Sequence, residues 1–97
     1  MRLRVSSIAE AEIAEALLYY DQQSSGLGAE LLLEYDAAVK RITTQPEAWR
    51  QIGPNSRRCL LRRFPYGVVY SVERDNVIVT AVMALRRDPN HWDDRIA

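Results

Sequence analysis

The side chains that could do chemistry in this chain are few, and most are quickly set aside. There is one cysteine, Cys59, and one histidine, His91. Two such ligands cannot fill a four-coordinate zinc site, and neither HExxH nor DxDxDG spacing occurs. No metal and no cofactor is expected. Cys59 stands in an alternating apolar stretch, the setting of a buried thiol rather than a nucleophile, because His91 lies far off in sequence. Gly26-Leu27-Gly28 is too short for a phosphate loop and follows no strand; it reads as a helix stop and restart. Asp93 and Asp94 sit in a polar tail, where a solvated face accounts for them better than an acid/base pair.

A basic and aromatic set remains. Arg57, Arg58, Arg62 and Arg63 crowd one short segment, and Arg86, Arg87, His91, Trp92 and Arg95 crowd the end. Such guanidinium groups can grip a phosphate, a carboxylate-rich peptide or RNA. They can also simply alternate outward from an exposed sheet face. Trp92 fits either a lid over a sheet edge or a stacking platform. His91 reads either as a general acid or base or, by default, as an ordinary surface histidine.

Charge is balanced overall but divided along the chain. Residues 1–48 carry four basic and eight acidic side chains, and residues 49–97 carry nine basic and five acidic. Twelve of the thirteen cations are Arg, with Lys40 the exception. Arg enrichment is a mark of interfaces, although a biased base composition produces it too. At 97 residues the chain is one domain, residues 1–97, able to bury roughly 65% of its unfolded surface. No signal peptide and no bilayer-length apolar run is present, and the single thiol excludes an internal disulfide, so a cytoplasmic location is expected.

Positioning these groups falls to a predictable set of elements. Arg2 to Ser6 alternates as a short strand. Ser7-Ile8-Ala9-Glu10 has the capping-box pattern and opens a helix to about Gln22, striped by Ile13, Ala16, Leu17 and Tyr20. After Gln23-Ser24-Ser25-Gly26 a second helix runs from Leu27 to Thr44. Leu27, Leu31, Tyr35, Ala38 and Ile42 form its apolar face, Leu32 and Val39 widen it, and Pro46 ends it. The two helices should fold back as a hairpin. Glu47 to Ser56 reads as a loop. The period then becomes two: Arg57–Arg63, Tyr66–Glu73 and Val77–Leu85 are strands of an antiparallel meander. Tyr66, Val68, Tyr70 and Val72 share one face, and the apolar run 77–84 should be central and covered. The fold class is α+β, ordered β-α-α-β-β-β.

The segment Arg57-Arg58-Cys59-Leu60-Leu61-Arg62-Arg63-Phe64-Pro65-Tyr66-Gly67-Val68-Val69-Tyr70 resembles the FPY hairpin of the RelE/ParE toxin superfamily. The ending Arg86-Arg87-Asp88-Pro89-Asn90-His91-Trp92-Asp93-Asp94-Arg95 is similar to that family's R-x-P-x-x-W-x-x-R tail. Ala9, Glu12, Ile13, Ala16, Tyr19-Tyr20 and Gly26-Leu27-Gly28 match its first helix and corner. The resemblance spans about residues 5 to 95.

It implies the toxin of a bacterial type II toxin–antitoxin system, held inactive by a cognate antitoxin with an amphipathic C-terminal segment and a DNA-binding N-terminal domain. ParE-like members act on DNA gyrase; RelE-like members cut mRNA on the ribosome. The nuclease pattern has an Arg directly after the hairpin aromatic, where this chain has Gly67, and such nucleases are strongly basic. Arg87 and His91 are the residues that a nuclease would use here. Against the ParE pattern, Ala84-Leu85 stand where a His often precedes the terminal Arg-rich stretch. The ParE-like reading is preferred, with the nuclease and a decayed, inactive toxin as alternatives. Arg58, Arg62, Arg86, Arg87, Trp92 and Arg95 are then the expected target contacts. Leu18, Tyr19, Leu33 and Ala37 are the expected antitoxin contacts.

Overall fold

In the computed structural model, which describes residues 1–85, the elements run β1 (Arg2–Val5), α1 (Ser7–Gln23), α2 (Leu27–Thr44), β2 (Arg50–Gln51), β3 (Arg57–Leu60), β4 (Tyr66–Glu73) and β5 (Asn76–Ala84). The helical hairpin packs on a five-stranded sheet of order β1-β5-β4-β3-β2. The α+β class and the order of the principal elements follow the sequence expectation, with two additions at the sheet margins.

The first addition is the pairing of the expected strand β1, which runs parallel to β5, Leu3 opposite Val77 and Val5 opposite Val79. Parallel partners need a long connection, and nearly the whole chain separates these two. The second is β2, two residues within the expected loop, with Arg50 opposite Arg58 and Gln51 opposite Arg57. The other strands pair antiparallel.

Helix α1 is capped one residue earlier than its sequence suggests. Ser6 is extended (φ −67, ψ 157) and its Oγ accepts the Ala9 N–H at 3.1 Å. The reason lies in the sheet: the Ser6 N–H donates to the Val79 carbonyl at 2.9 Å, so Ser6 finishes β1 and cannot be helical. Ser7 therefore lies inside the helix, and the Ser7/Glu10 capping box does not form. At the corner Gly26 takes φ +89, a left-handed conformation open to glycine at little cost. The first amides of α2 lack intrahelical partners, and the Gly28 N–H donates instead to Asp21 Oδ1 at 2.8 Å.

One face of each helix and one face of the sheet make a single core. Tyr70, Leu31, Ile42, Val68, Val77, Val79 and Cys59 are fully buried in it, so Cys59 is a packing residue. Burying a side chain such as Leu31 or Val68 is worth about 1.5–3 kcal/mol. Leu32, expected on the buried face, is 41% exposed, and Val72 is exposed as well; both sit at the rim, where the stripe runs past the layer it covers.

Strand β5 lies between β1 and β4, and the helices cover one of its faces. Val69 pairs with Ala81 and Tyr70 with Val79, so Thr80 is an extra residue. This bulge switches the alternation: Val77 and Val79 face the core before it and Val82 after it. Strand β3, expected to reach Arg63, ends at Leu60. Beyond it Leu61 and Phe64 both turn into the core, and the Leu61 N–H closes the loop on the Tyr66 carbonyl at 2.9 Å.

Candidate functional site

The arginine-rich hairpin is the site residue group that the described structure contains, and its four cations do four different things. Arg57 faces inward along the strand and donates from Nη1 to the carbonyls of Glu47 (3.2 Å) and Trp49 (2.8 Å). It fastens the loop that leads into β2. Beside it the Tyr70 hydroxyl donates to the Pro46 carbonyl. Burial, offset in part by the charge of Arg57, pushes the Tyr70 hydroxyl pKa up to about 12.

Arg63 fastens the other end. Its Nη2 meets Glu30 Oε1 at 3.0 Å, its Nε meets Glu34 Oε2 at 3.2 Å, and its backbone N–H donates to Glu34 Oε1 at 2.6 Å. Burial raises the Glu34 carboxyl pKa. The hydrogen bonds from the Arg63 backbone and side chain and from the Arg62 backbone outweigh this and hold it below its ordinary value. The side chain of Arg62 is exposed. Arg57 and Arg63 are therefore structural ties.

Arg58 alternates with the buried Cys59 and so lies on the sheet face away from the helices. Its partner across β4 is Val69 and its partner across β2 is Arg50. Two cations directly opposite each other repel, so this end of the outer face carries concentrated positive charge. Its Nε is buried without a hydrogen-bond partner among the described residues. Arg50 was missed in the sequence because its segment reads as loop; only its pairing with β3 reveals it. A Cβ on Gly67 would come within 2.9 Å of both Cγ and Cδ of Arg58. The absence of a side chain at 67 is what lets the Arg58 stem lie across β4.

The aromatic members of the hairpin have a packing role. Phe64 and Tyr66 meet Tyr20 of α1 edge-on, with centroids 5.1 and 6.1 Å apart, and Tyr20 meets Tyr19 at 5.0 Å. Such pairs add about 0.5–1.5 kcal/mol each beyond the area they bury. The FPY segment thus anchors the β3–β4 turn to the end of α1.

The remaining expected target contacts, Arg86, Arg87, His91, Trp92 and Arg95, lie outside the described residues. Among the expected antitoxin contacts, Leu18 is 62% exposed, Tyr19 53% and Leu33 70%, and Ala37 is exposed too. They lie on the helical side of the molecule, across the sheet from Arg58. Among the described residues no cluster of His, Cys, Asp and Glu could hold a metal ion, and no helix is long and apolar enough to cross a membrane.

Comparison with known proteins adds to this geometry. The family model described as the ParE toxin of the type II toxin–antitoxin system parDE matches residues 3–89. No curated protein sequence matches. Among solved structures, a chain of the chromosomal ParDE toxin–antitoxin system from P. aeruginosa superposes with a TM-score of 0.78 at 17% identity, covering 89% of this chain and 97% of that one. The isolated E. coli RelE toxin superposes with a TM-score of 0.68 at 21% identity, covering 99% of this chain and 98% of that one. At these identities the structural likeness is one of fold.

Proposed function

Because the chain belongs to the ParE toxin family of type II toxin–antitoxin systems, we propose that it acts on DNA gyrase and that a cognate antitoxin neutralises it. The observation that carries the choice of target is the Gly67–Arg58 contact. A ribosome-dependent nuclease of the related pattern needs a phosphate-gripping Arg directly after the hairpin aromatic. Here that position is glycine, and the space a side chain would take is filled by the Arg58 stem. Electrical neutrality of the chain supports the same choice, since binding a ribosome rewards a large positive charge.

Contact with the target would run through the outer-face cation Arg58 and through Arg62, continued by Arg86, Arg87, Trp92 and Arg95. Antitoxin contact would run through Leu18, Tyr19, Leu33 and Ala37 on the helices. The antitoxin would present an amphipathic C-terminal segment there and bind DNA with its other end.

The test is direct. Expression of the chain alone should arrest growth, and expression with the adjacent small reading frame should restore it. Purified protein should stop gyrase supercoiling or trap cleaved DNA. Unimpaired supercoiling at micromolar toxin, together with new in-frame 5′ ends in translated transcripts, would overturn the gyrase reading in favour of the nuclease. Normal growth on expression alone would mark a decayed toxin.

A further inference from the structure

The sheet face turned away from the helices holds a pair of cations with no counterion among the described residues. By strand alternation Arg50, Arg58 and Leu60 lie on that face, since the core residue Cys59 and its neighbour Arg57 lie on the other. Ile52 continues the same side: its N–H donates to the Ser56 carbonyl at 2.9 Å, which prolongs the β2–β3 ladder by one pair. Ile52 is 40% exposed and Leu60 47%. Two arginines thus stand side by side at the β2 margin, bracketed by two exposed aliphatic side chains.

Like charges directly opposite each other destabilise a strand pair unless an anion lies between them. A buried donor left unpaired, as the Arg58 Nε–H is among the described residues, adds to that cost until something accepts from it. The Arg58 stem is seated over Gly67, its Cγ and Cδ 2.9 Å from the place of a Cβ, so the guanidinium is held at this spot. No carboxylate of the sheet serves it. Among the described strands the only one is Glu73, in the row of Asn76 and Arg2. It stands four residues along β4 from Val69, the partner of Arg58, or roughly 13 Å. Glu47 lines a cleft with Arg57 and Tyr70 on the helical side, and Glu30 and Glu34 are taken by Arg63. The other cations at this margin, Arg62 in the turn after Leu60 and Arg41 at the Leu60 carbonyl (3.5 Å), add to the positive charge.

We infer that Arg50 and Arg58 take a carboxylate from a protein partner, an Asp or Glu side chain flanked by apolar residues that pack on Ile52 and Leu60. A guanidinium fork held in place accepts a carboxylate through two parallel hydrogen bonds. A nucleic-acid phosphate would answer the same charge, but the surroundings favour protein. Exposed aliphatic side chains flank the pair, and the aromatic residues of the described strands, Tyr66 and Tyr70, face the helices, so they offer no base a stacking surface here. The inference deepens the target contact proposed at Arg58 by naming its chemistry and by adding Arg50, Ile52 and Leu60. It rests on the gyrase reading only for the identity of the natural partner.

Two short peptides test it, one with aspartate set between leucines and one with asparagine in its place. Each is titrated into the isotope-labelled full chain, and the arginine Nε–H resonances are followed by NMR. Those of Arg50 and Arg58 should move with the aspartate peptide, at an affinity about tenfold above that of the asparagine peptide in low salt, and the preference should shrink in molar salt. Arg50→Gln, at an exposed position, should remove the preference. Arg58→Lys, which keeps the charge and loses the fork, should weaken it. Ile52→Ser with Leu60→Ser should weaken both peptides alike. Circular dichroism checks that each variant keeps the fold. Equal affinity for the two peptides, a preference that survives Arg50→Gln, or tighter binding of a single-stranded oligonucleotide of equal charge would overturn the inference. So would movement of the Arg58 signal without peptide, either on dilution, which marks a second copy, or on Asp88→Asn with Asp93→Asn and Asp94→Asn, which marks the chain's own ending. Gyrase supercoiling is scored separately: peptide selectivity without gyrase inhibition removes the target reading alone, and inhibition without selectivity removes this site alone.

Discussion

The Glu12 carboxylate on α1 accepts the backbone N–H of Val82 at 2.7 Å, across 70 residues of sequence. Strand β1 pairs with β5 only as far as Val79, and Glu12 takes up the β5 edge where β1 no longer runs. A helix side chain thus completes part of a sheet ladder. Hydrogen bonds to a charged acceptor are worth about 1.5–3 kcal/mol, so Glu12→Ala should lower stability by that much. Glu12→Gln keeps an acceptor and should cost less than half as much. Urea midpoints of the two variants decide; equal losses would mean that Glu12 acts through charge alone.

Acid should loosen the clasp between the hairpin turn and α2. Glu34 is held below the ordinary carboxyl value of 4.5. A carboxyl depressed by folding stabilises above its unfolded pKa, and that contribution is lost as pH falls through the folded value. Glu34→Gln should therefore be less stable than the parent at pH 7, by about 1 kcal/mol. The gap should narrow steadily below pH 4.5. A gap that stays constant down to acid pH would remove Glu34 ionisation from the account.

At the alkaline end the sign is opposite. Tyr70 is raised from 10.0 to about 12, so its contribution is complete below its unfolded pKa and disappears as pH climbs toward the folded one. Tyr35, also raised, contributes in the same direction. Tyr70→Phe should cost about 0.5–1.5 kcal/mol at neutral pH by leaving the Pro46 carbonyl without its donor. Its stability should then fall less steeply than the parent's on alkaline titration, as read by thermal melts.

The contact between Gly67 and Arg58 makes a coupled prediction. Gly67→Ala places a methyl where the Arg58 stem lies and should cost about 1–3 kcal/mol by overpacking. In an Arg58→Ala background the same change should be close to neutral, so a double-mutant cycle should show strong coupling. Additive losses would mean that the glycine serves the strand backbone and not the arginine.

Much of this architecture could be read from residue spacing. The stripes Ile13-Ala16-Leu17-Tyr20 and Leu27-Leu31-Tyr35-Ala38-Ile42 gave both helices, and Gly26 with Pro46 marked their ends, because amphipathic periodicity and backbone restriction are local signals. What escaped is non-local. Ser6 rather than Ser7 caps α1 because a strand partner 73 residues away holds it extended. Arg50–Gln51 has no strand signature, and only β3 beside it makes it one. The run Val77–Ala84 is apolar at nearly every position, so either phase fits it and the bulge at Thr80 leaves no trace in the pattern. At the candidate site, four arginines close together suggested one cationic surface. The spacing could not tell that Arg57 and Arg63 are spent on carbonyls and carboxylates while Arg58 and Arg50 face outward.

The pairing of β1 with β5 also bears on the order of synthesis. Strand β1 finds its partner late, since Arg2–Val5 must wait for residues 76–79 to exist. Both helices, built on local contacts, can form well before then. Until residues 76–79 are made, β1 has no strand to pair with. Closure of the sheet at its β1 margin therefore follows synthesis of the opposite margin, where Arg58 lies between Arg50 and Val69.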